Sequence, residues 1–169
     1  MKLFKKATSL LLTSILFLTA GITAFAEDYY DEDTEKDIIV YFTNDVHNAY
    51  EQTDTAIGYA SLAADIKSNQ NGENNETILV DAGDSIQGGI IGALSKGMWA
   101  AEIMEKMGYD VAVPGNHEFD FGVERFLEIA NSVSYDYVCC NFIDLRTGKT
   151  VFMPYKMIKK FNTNIAFIG

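Results

Sequence analysis

Positive charge is what this 169-residue sequence most lacks, since 13 Lys and Arg stand against 24 Asp and Glu, a formal net charge of −11. This deficit argues against a nucleic-acid polymer or an anionic membrane surface as partner, because both are bound through clusters of basic side chains. A small phosphate ester is still compatible with the composition, provided that bound cations hold it. The composition therefore argues against a polyanionic partner and leaves a cation-dependent small phosphate ligand open.

The sequence also lacks an apolar run of the roughly 20 residues that a membrane span needs. The apolar segment from Leu10 to Leu18 is short and is interrupted by two hydroxyl residues. Three lysines within residues 2–6 precede it, and an Ala-Phe-Ala motif ending at Ala26 follows it. This order predicts a signal peptide over residues 1–26, cleaved after Ala26. The protein is therefore expected to be exported to a periplasm or to the cell exterior.

Residues 27–37 hold seven acids in eleven residues and show no apolar periodicity. Such a segment is typical of a solvated leader between a cleavage site and a fold. A calcium site is the alternative interpretation, because clustered carboxylates bind that ion.

Cysteine is scarce, and Cys139 and Cys140 are neighbours in the sequence. Disulfide geometry is poorly met across one peptide bond, so we expect two small apolar side chains on a buried strand and no disulfide. An exported protein without a disulfide framework depends for its stability on its hydrophobic core or on bound metal.

The hydrophobic pattern after residue 37 alternates between strands and helices. Continuous β-branched and aromatic runs, typical of strands covered on both faces, lie at residues 38–42, 77–80, 111–113 and 137–140. Helical spacing of apolar residues lies at 56–69, 98–107 and 123–130, and a hairpin is predicted over 155–161 and 164–169. The alternation predicts an α/β fold with a largely parallel sheet and helices outside it.

A polar cluster follows each of the first three predicted strands, at residues 43–48, 81–85 and 114–120. Ligands of open α/β sheets bind outside the carboxyl ends of the strands, which meet at one edge. All three clusters should therefore converge. The chain has two histidines, His47 and His117, and both fall inside these clusters.

The first two clusters carry candidate metal ligands. Asp45 and His47 are two residues apart, so both side chains leave an extended backbone on one side, and this pair suits Mn²⁺, Fe or Zn²⁺ better than Ca²⁺. Asp84 follows Gly83, and its two oxygens could bridge a pair of cations, with Asp81 as a supporting group. The alternatives are a turn residue at Asp45, a surface histidine at His47 and a helix cap at Asp84.

The third cluster combines a neutral ligand with a candidate acid. Asn116 offers a carbonyl oxygen without adding charge, and His117 could stabilise or protonate a phosphate oxygen. Asp120 can reach the other ring nitrogen of His117, which would fix its tautomer. The alternative is a loop histidine with local turn bonding. Taken together, the three clusters favour a metal site.

The segments "TNDVH", "VDAGDSIQGG" and "VPGNHEFDFG", in this order, resemble the calcineurin-like metallophosphoesterases. The similarity is greatest to the exported 5′-nucleotidase and 2′,3′-cyclic-nucleotide phosphodiesterase group. The resemblance implies that residues 38–169 form the N-terminal half of a metallophosphoesterase sandwich acting on nucleotides. It also implies two divalent ions (Mn, Zn, Fe or similar), with Asp45 and His47 on one, Asn116 on the other, and Asp84 between them.

By the same resemblance, His117 and Asp120 form a catalytic dyad near the transferred phosphoryl group. The sequence departs from the family in two respects. Asn48 stands where the family usually has glycine, and no histidine follows His117, although the family draws further histidine ligands and a nucleoside-recognising domain from later segments. Two interpretations follow: an N-terminal portion of an exported phosphohydrolase, or a truncated, non-catalytic exported protein that binds metal weakly.

Overall fold

Four strands pair in parallel in the computed structural model, which describes residues 36–70, 72 and 74–169. They are β1 (Asp37–Thr43), β2 (Asn75–Asp81), β3 (Val111–Ala112) and β4 (Asp136–Tyr137), and they form one sheet in the order β1-β2-β3-β4. The longest pairing runs from Asp37 opposite Asn75 to Thr43 opposite Asp81, so β1 and β2 end side by side. The predicted signal peptide and most of the acidic leader lie outside the described residues.

Helices connect the successive strands of this sheet. They are α1 (Tyr59–Gln70), α2 (Gly89–Ser95), α3 (Met98–Met107) and α4 (Val123–Ala130). The bounds of α3 are those predicted from the sequence, and α3 ends at Gly108, which adopts φ 80° and donates its N–H to the carbonyls of Met104 and Glu105. The predicted α/β class with a parallel sheet and flanking helices is confirmed.

The hydrophobic core lies between the sheet and these helices. Its buried side chains come from every layer and are Ile66, Leu79, Ile86, Ala100, Ala101, Met104, Tyr109, Ala112, Phe126, Ile129, Tyr135 and Tyr137. Phe126 contacts Tyr137 edge to face with ring centroids 4.9 Å apart, which fastens α4 to β4. The core therefore fixes the sheet from which the polar loops emerge.

The strand β1 departs from the sequence prediction. Its run of apolar residues predicts burial on both faces, but Val40 is 44% exposed and Phe42 is 73% exposed. β1 lies at the end of the strand order, and part of its surface has no covering layer among the described residues. The prediction was wrong because β-branched and aromatic composition favours a strand without indicating whether both of its faces are packed.

Two antiparallel hairpins follow β4. They are β5 (Ile143–Asp144) with β6 (Lys149–Thr150), and β7 (Tyr155–Lys160) with β8 (Thr163–Ile168). The second hairpin is the one predicted from the sequence. None of the helices in the described part of the chain has the length and apolar character needed to cross a membrane.

Both cysteines are free thiols, as predicted, but only Cys139 is buried. Cys140 is exposed, and its N–H donates to the carbonyl of Gly169 at 2.8 Å. Both residues follow the end of β4, so their predicted place on a buried strand was wrong. The short β4 gives way to loop before the chain reaches them.

Candidate metal centre

Backbone hydrogen bonds join the loop after β1 to the loop after β2. The N–H of Ala82 donates to Thr43 O at 2.8 Å, that of Asp45 to Gly83 O at 3.0 Å, and that of His47 to Asp84 O at 3.0 Å. These contacts continue the parallel pairing beyond the strand ends. They place the first Asp and His of the predicted site directly beside Asp84.

The backbone of these loops is left-handed at four residues that are not glycine. The φ angles are 53° at Asp45, 48° at His47, 59° at Asn48 and 59° at Asp84. Each such residue costs on the order of 1 kcal/mol or more, and such strain concentrates at functional sites. The side chains of Asp45 and His47 do lie close, with Oδ1 and Nε2 3.7 Å apart, but the extended backbone expected from their spacing is absent.

The loop after β3 closes around the carboxylate of Asp84. The N–H of His117 donates to Asp84 Oδ1 at 2.8 Å. A Cβ at Gly115 would collide with the same carboxylate, so this close approach requires glycine. Asn116 lies between these two residues and is exposed at the start of a short 3₁₀ turn, His117–Phe119.

Three side chains from the three loops lie near enough to share one cation. His47, Asp84 and His117 each offer one ligand atom, and these atoms lie within 4.8 Å of one another. The two imidazole rings meet edge to face with centroids 5.0 Å apart. Two imidazoles and a carboxylate form a donor set that fits Mn²⁺, Fe or Zn²⁺. The convergence expected from the strand ends is thus present in the geometry.

The imidazole of His117 is held by Asp120. Its Nδ1 lies 2.8 Å from Asp120 Oδ2, which leaves Nε2 as the ring nitrogen available to another partner. The pKa of His117 is raised above its ordinary value, chiefly by this hydrogen bond, with smaller contributions from the charges of Asp120 and Asp84, and burial opposes the shift. A protonated, oriented imidazole at this place could donate a proton to a phosphate oxygen.

A buried polar network lies next to the loops that carry Asp45 and Asp84. Asp81 is 3% exposed and accepts hydrogen bonds from Thr43 Oγ1 at 2.7 Å, Ser85 Oγ at 2.6 Å and the N–H of Gly83 at 3.1 Å. Burial raises the pKa of Asp81 to about 6, against the lowering effect of these bonds. Tyr109 extends the network by a 2.7 Å contact of its hydroxyl with Thr43. The network ties the ends of β1 and β2 together.

Two contributors escaped the sequence interpretation. Gln87 Oε1 lies 3.3 Å from Nδ1 of His47 and orients that ring. Glu118 is 1% exposed and accepts hydrogen bonds from backbone N–H groups of the loops that carry Asp84 and Gly115. Its only signal in the sequence is its position directly after His117, since a carboxylate that binds backbone groups leaves no pattern of side chains.

A parallel α/β sheet with histidine and carboxylate donors converging at its strand ends has the architecture of a metal-binding α/β protein. Residues 38–167 match the calcineurin-like phosphoesterase family, and the chain belongs to it. The family recognised from the three sequence motifs is thus confirmed.

The relatives include nucleotide-hydrolysing enzymes. The chain is 31% identical to a 2′,3′-cyclic-nucleotide 2′-phosphodiesterase/3′-nucleotidase of Yersinia enterocolitica, over 99% of this chain and 28% of that protein. It is 29% identical to a 5′-nucleotidase of Vibrio parahaemolyticus, over 92% of this chain and 29% of that protein. The chain therefore spans less than a third of the length of these relatives.

The fold is similar to that of solved nucleotidase structures. A 5′-nucleotidase precursor from Thermus thermophilus superposes with a TM-score of 0.66 at 23% identity, covering 77% of this chain and 27% of that one. At this level of identity, the likeness establishes the fold alone.

Proposed function

We propose that this chain carries the metal-binding part of an exported phosphoesterase that hydrolyses nucleotides or related phosphate esters. The observation that carries the proposal is the meeting of His47 and Asp84, assigned as metal ligands, with His117, assigned to proton transfer, at the strand ends. The proposal includes removal of residues 1–26 after Ala26, an acidic leader over residues 27–37, and the N-terminal part of the catalytic domain over residues 38–169. The substrate class is supported by the names of the related enzymes.

The proposed ligands divide between two divalent ions. Asp45 and His47 would hold the first, Asn116 the second, and Asp84 would contact both through its two carboxylate oxygens. When bound, such a pair polarises the phosphoryl group and lowers the pKa of a bound water. The acidic balance of the chain agrees with a cation-dependent site, because a phosphate ester needs cations to approach so many carboxylates.

The residues beside the metal ligands would handle the proton. Asp120 holds Nδ1 of His117, so Nε2 faces outward from the dyad and can donate to a phosphoryl or leaving-group oxygen. The raised pKa of His117 favours the protonated ring that this donation requires. His117 is therefore assigned to proton transfer, and Asp120 is assigned to fixing its tautomer and direction.

A non-catalytic, weakly metal-binding protein is the second candidate. It is favoured by the small number of ligands that this chain supplies to the second ion. On the proposed division, the second ion has two side-chain oxygens from this chain, those of Asp84 and Asn116. Tight transition-metal sites have about four ligands, usually with imidazole or thiolate among them. This chain should therefore hold the second ion loosely and hydrolyse phosphate esters slowly.

Hydrolysis of a bis-aryl phosphodiester and of AMP in excess Mn²⁺ tests the proposal. We expect the processed chain, residues 27–169, to show at most a trace of Mn²⁺-dependent turnover, far below the enzyme median of about 10 s⁻¹. Asp84→Asn should abolish it, whereas Asp54→Asn, which removes the charge of an exposed loop carboxylate, should not. Turnover that persists in Asp84→Asn, or that is independent of Mn²⁺, would contradict the proposal. An absence of turnover in the unmodified chain would favour the non-catalytic candidate.

A further inference from the structure

We infer that Glu118 is a positioning residue that clamps the loop carrying Asp84 to the loop carrying His117 and thereby holds the metal ligands in place. The inference rests on the proposed function, because it assigns Glu118 a part in assembling that same metal site. Glu118 is distinct from the residues proposed to contact metal or substrate. It acts only through the two loops that it joins.

The hydrogen bonds of Glu118 all come from backbone N–H groups. Its Oε2 accepts from Asp84 at 2.8 Å and from Gly115 at 2.6 Å. Its Oε1 accepts from Ser85 at 2.8 Å and from Ile86 at 3.3 Å. One oxygen thus bridges the two loops, and the other binds the backbone just after Asp84. A carboxylate has enough lone pairs to accept all four bonds.

The backbone held by Glu118 includes Asp84, one of the four left-handed residues of the site that are not glycine. Asp84 adopts φ 59°, and the adjacent Gly83 adopts φ 103°. A left-handed residue persists only where surrounding contacts determine its conformation. Glu118 supplies such a contact at the N–H of Asp84, and its other bonds hold the residues that follow. Without them, the Asp84 carboxylate would lose the backbone geometry that aims it at both histidines.

The position of Glu118 in the chain couples this clamp to His117. It follows His117 directly, and the N–H of His117 donates to Oδ1 of Asp84 at 2.8 Å. Each loop therefore binds the other, since Glu118 accepts hydrogen bonds from the Asp84 loop and Asp84 accepts one from the backbone of His117. At 1% exposure, the Glu118 side chain is screened from water, so water cannot readily replace the bonds it makes.

Two substitutions separate the clamp from the charge of Glu118. Glu118→Gln keeps the length of the side chain but turns an NH₂ group toward two backbone N–H donors. Glu118→Asp keeps the charge but is one methylene too short to reach both loops. A residue that acted only by attracting a cation would tolerate the second change, whereas a clamp would tolerate neither.

The test measures Mn²⁺ affinity of the processed chain, residues 27–169, using the electron paramagnetic resonance signal of free Mn²⁺. Two controls accompany the variants: Glu102→Gln removes the charge of an exposed carboxylate on α3, and Ile129→Val trims a fully buried core residue of α4. Near-ultraviolet circular dichroism verifies that each protein is folded. Should Glu118→Gln fail to fold, Glu118→Asp decides alone.

We expect both Glu118 variants to bind Mn²⁺ about 10- to 100-fold more weakly, the usual effect of losing a residue that supports metal ligands, and both controls to stay within about twofold. Wild-type affinity in Glu118→Asp would overturn the clamp, as would an equal loss in Ile129→Val, which would reduce the effect to general destabilisation. If the unmodified chain bound no Mn²⁺, the proposed function would fail and the inference with it.

Discussion

His117 lies between two carboxylates that use different atoms of the residue. Asp120 contacts its Nδ1, and Asp84 accepts its backbone N–H. The contact with Asp120 raises the proton affinity of the ring. The contact with Asp84 fixes the backbone position of His117 and therefore the position of the ring. The two effects can therefore be separated by substitution.

The substitution Asp120→Asn should lower the pKa of His117. The hydrogen bond from Asp120 is the main cause of the raised pKa, because a carboxylate stabilises the protonated imidazole. An amide oxygen carries no charge and provides less stabilisation. The measurement is a proton magnetic resonance titration of the His117 ring in metal-free protein. Glu128→Gln, which removes the charge of an exposed carboxylate on α4, is the control. An unchanged titration of His117 in Asp120→Asn would show that Asp120 does not set its protonation.

At this scale the sequence indicated the residues with distinctive chemistry. The Asp45–His47 pair, Asp84 and the Asn116–His117 pair indicate metal or proton chemistry only when taken together at the predicted strand ends, because each motif alone is also typical of a turn, a helix cap or a loop. Glu118 could not be recognised in this way, because its partners are backbone N–H groups. The left-handed conformations at His47 and Asn48 were also hidden, since they arise from the pairing of two loops that are distant in the sequence.

At the scale of elements, the ends of β1 and β2 are joined by side chains as well as by the backbone. Thr43 is the last residue of β1 and bonds to Asp81, the last residue of β2. Ser85, four residues beyond Asp81, bonds to the same carboxylate oxygen. The network thus fixes the positions at which the loops carrying Asp45 and Asp84 leave the sheet.

Asp81 should make stability depend on pH in a direction opposite to that of most carboxylates. Its folded pKa of about 6 lies above the ordinary value of 3.8, because burial penalises the charged form. Its contribution is therefore fully present below pH 3.8 and is lost as pH rises through about 6. A difference of about two pH units corresponds to about 3 kcal/mol.

Asp81→Asn removes this titration. The variant should therefore gain stability relative to the unmodified protein, by up to about 3 kcal/mol, as the pH rises from 4 to 7. Urea unfolding at several pH values, with a chelator present, measures the difference in the free energy of unfolding. Asp54→Asn is the matched control, because Asp54 is exposed. A difference between Asp81→Asn and the unmodified protein that is the same at pH 4 and pH 7 would contradict the raised pKa.

The order of the larger elements was predictable from hydrophobic pattern, and the bounds of α3 were predicted correctly. The helix α2 was missed because Gly89 and Gly92 weaken any helical signal in seven residues. The exposure of β1 was missed because the pattern of one strand does not reveal its neighbours. The local hydrophobic pattern therefore predicted whether an element is a helix or a strand better than it predicted which of its faces are buried.

At the scale of the whole molecule, charge and histidine content constrain the function together. A chain with a net charge of −11 and two histidines brings both rings to the same strand ends as Asp84. Membership of the calcineurin-like phosphoesterase family agrees with this convergence. The family relationship was predictable from three motifs. The complete ligand set was not, because the chain spans less than a third of the length of the Yersinia and Vibrio enzymes named above.

Metal binding through Asp84 is the central claim, and equilibrium dialysis against Mn²⁺ followed by elemental analysis tests it most directly. Four proteins are compared at equal concentration: the unmodified chain, Asp84→Asn, His117→Ala and Asp54→Asn. We predict bound Mn²⁺ in the unmodified chain and in Asp54→Asn. We expect a larger loss in Asp84→Asn than in His117→Ala, because Asp84 would contact both ions whereas His117 is assigned to proton transfer. As much Mn²⁺ in Asp84→Asn as in the unmodified chain would contradict the account.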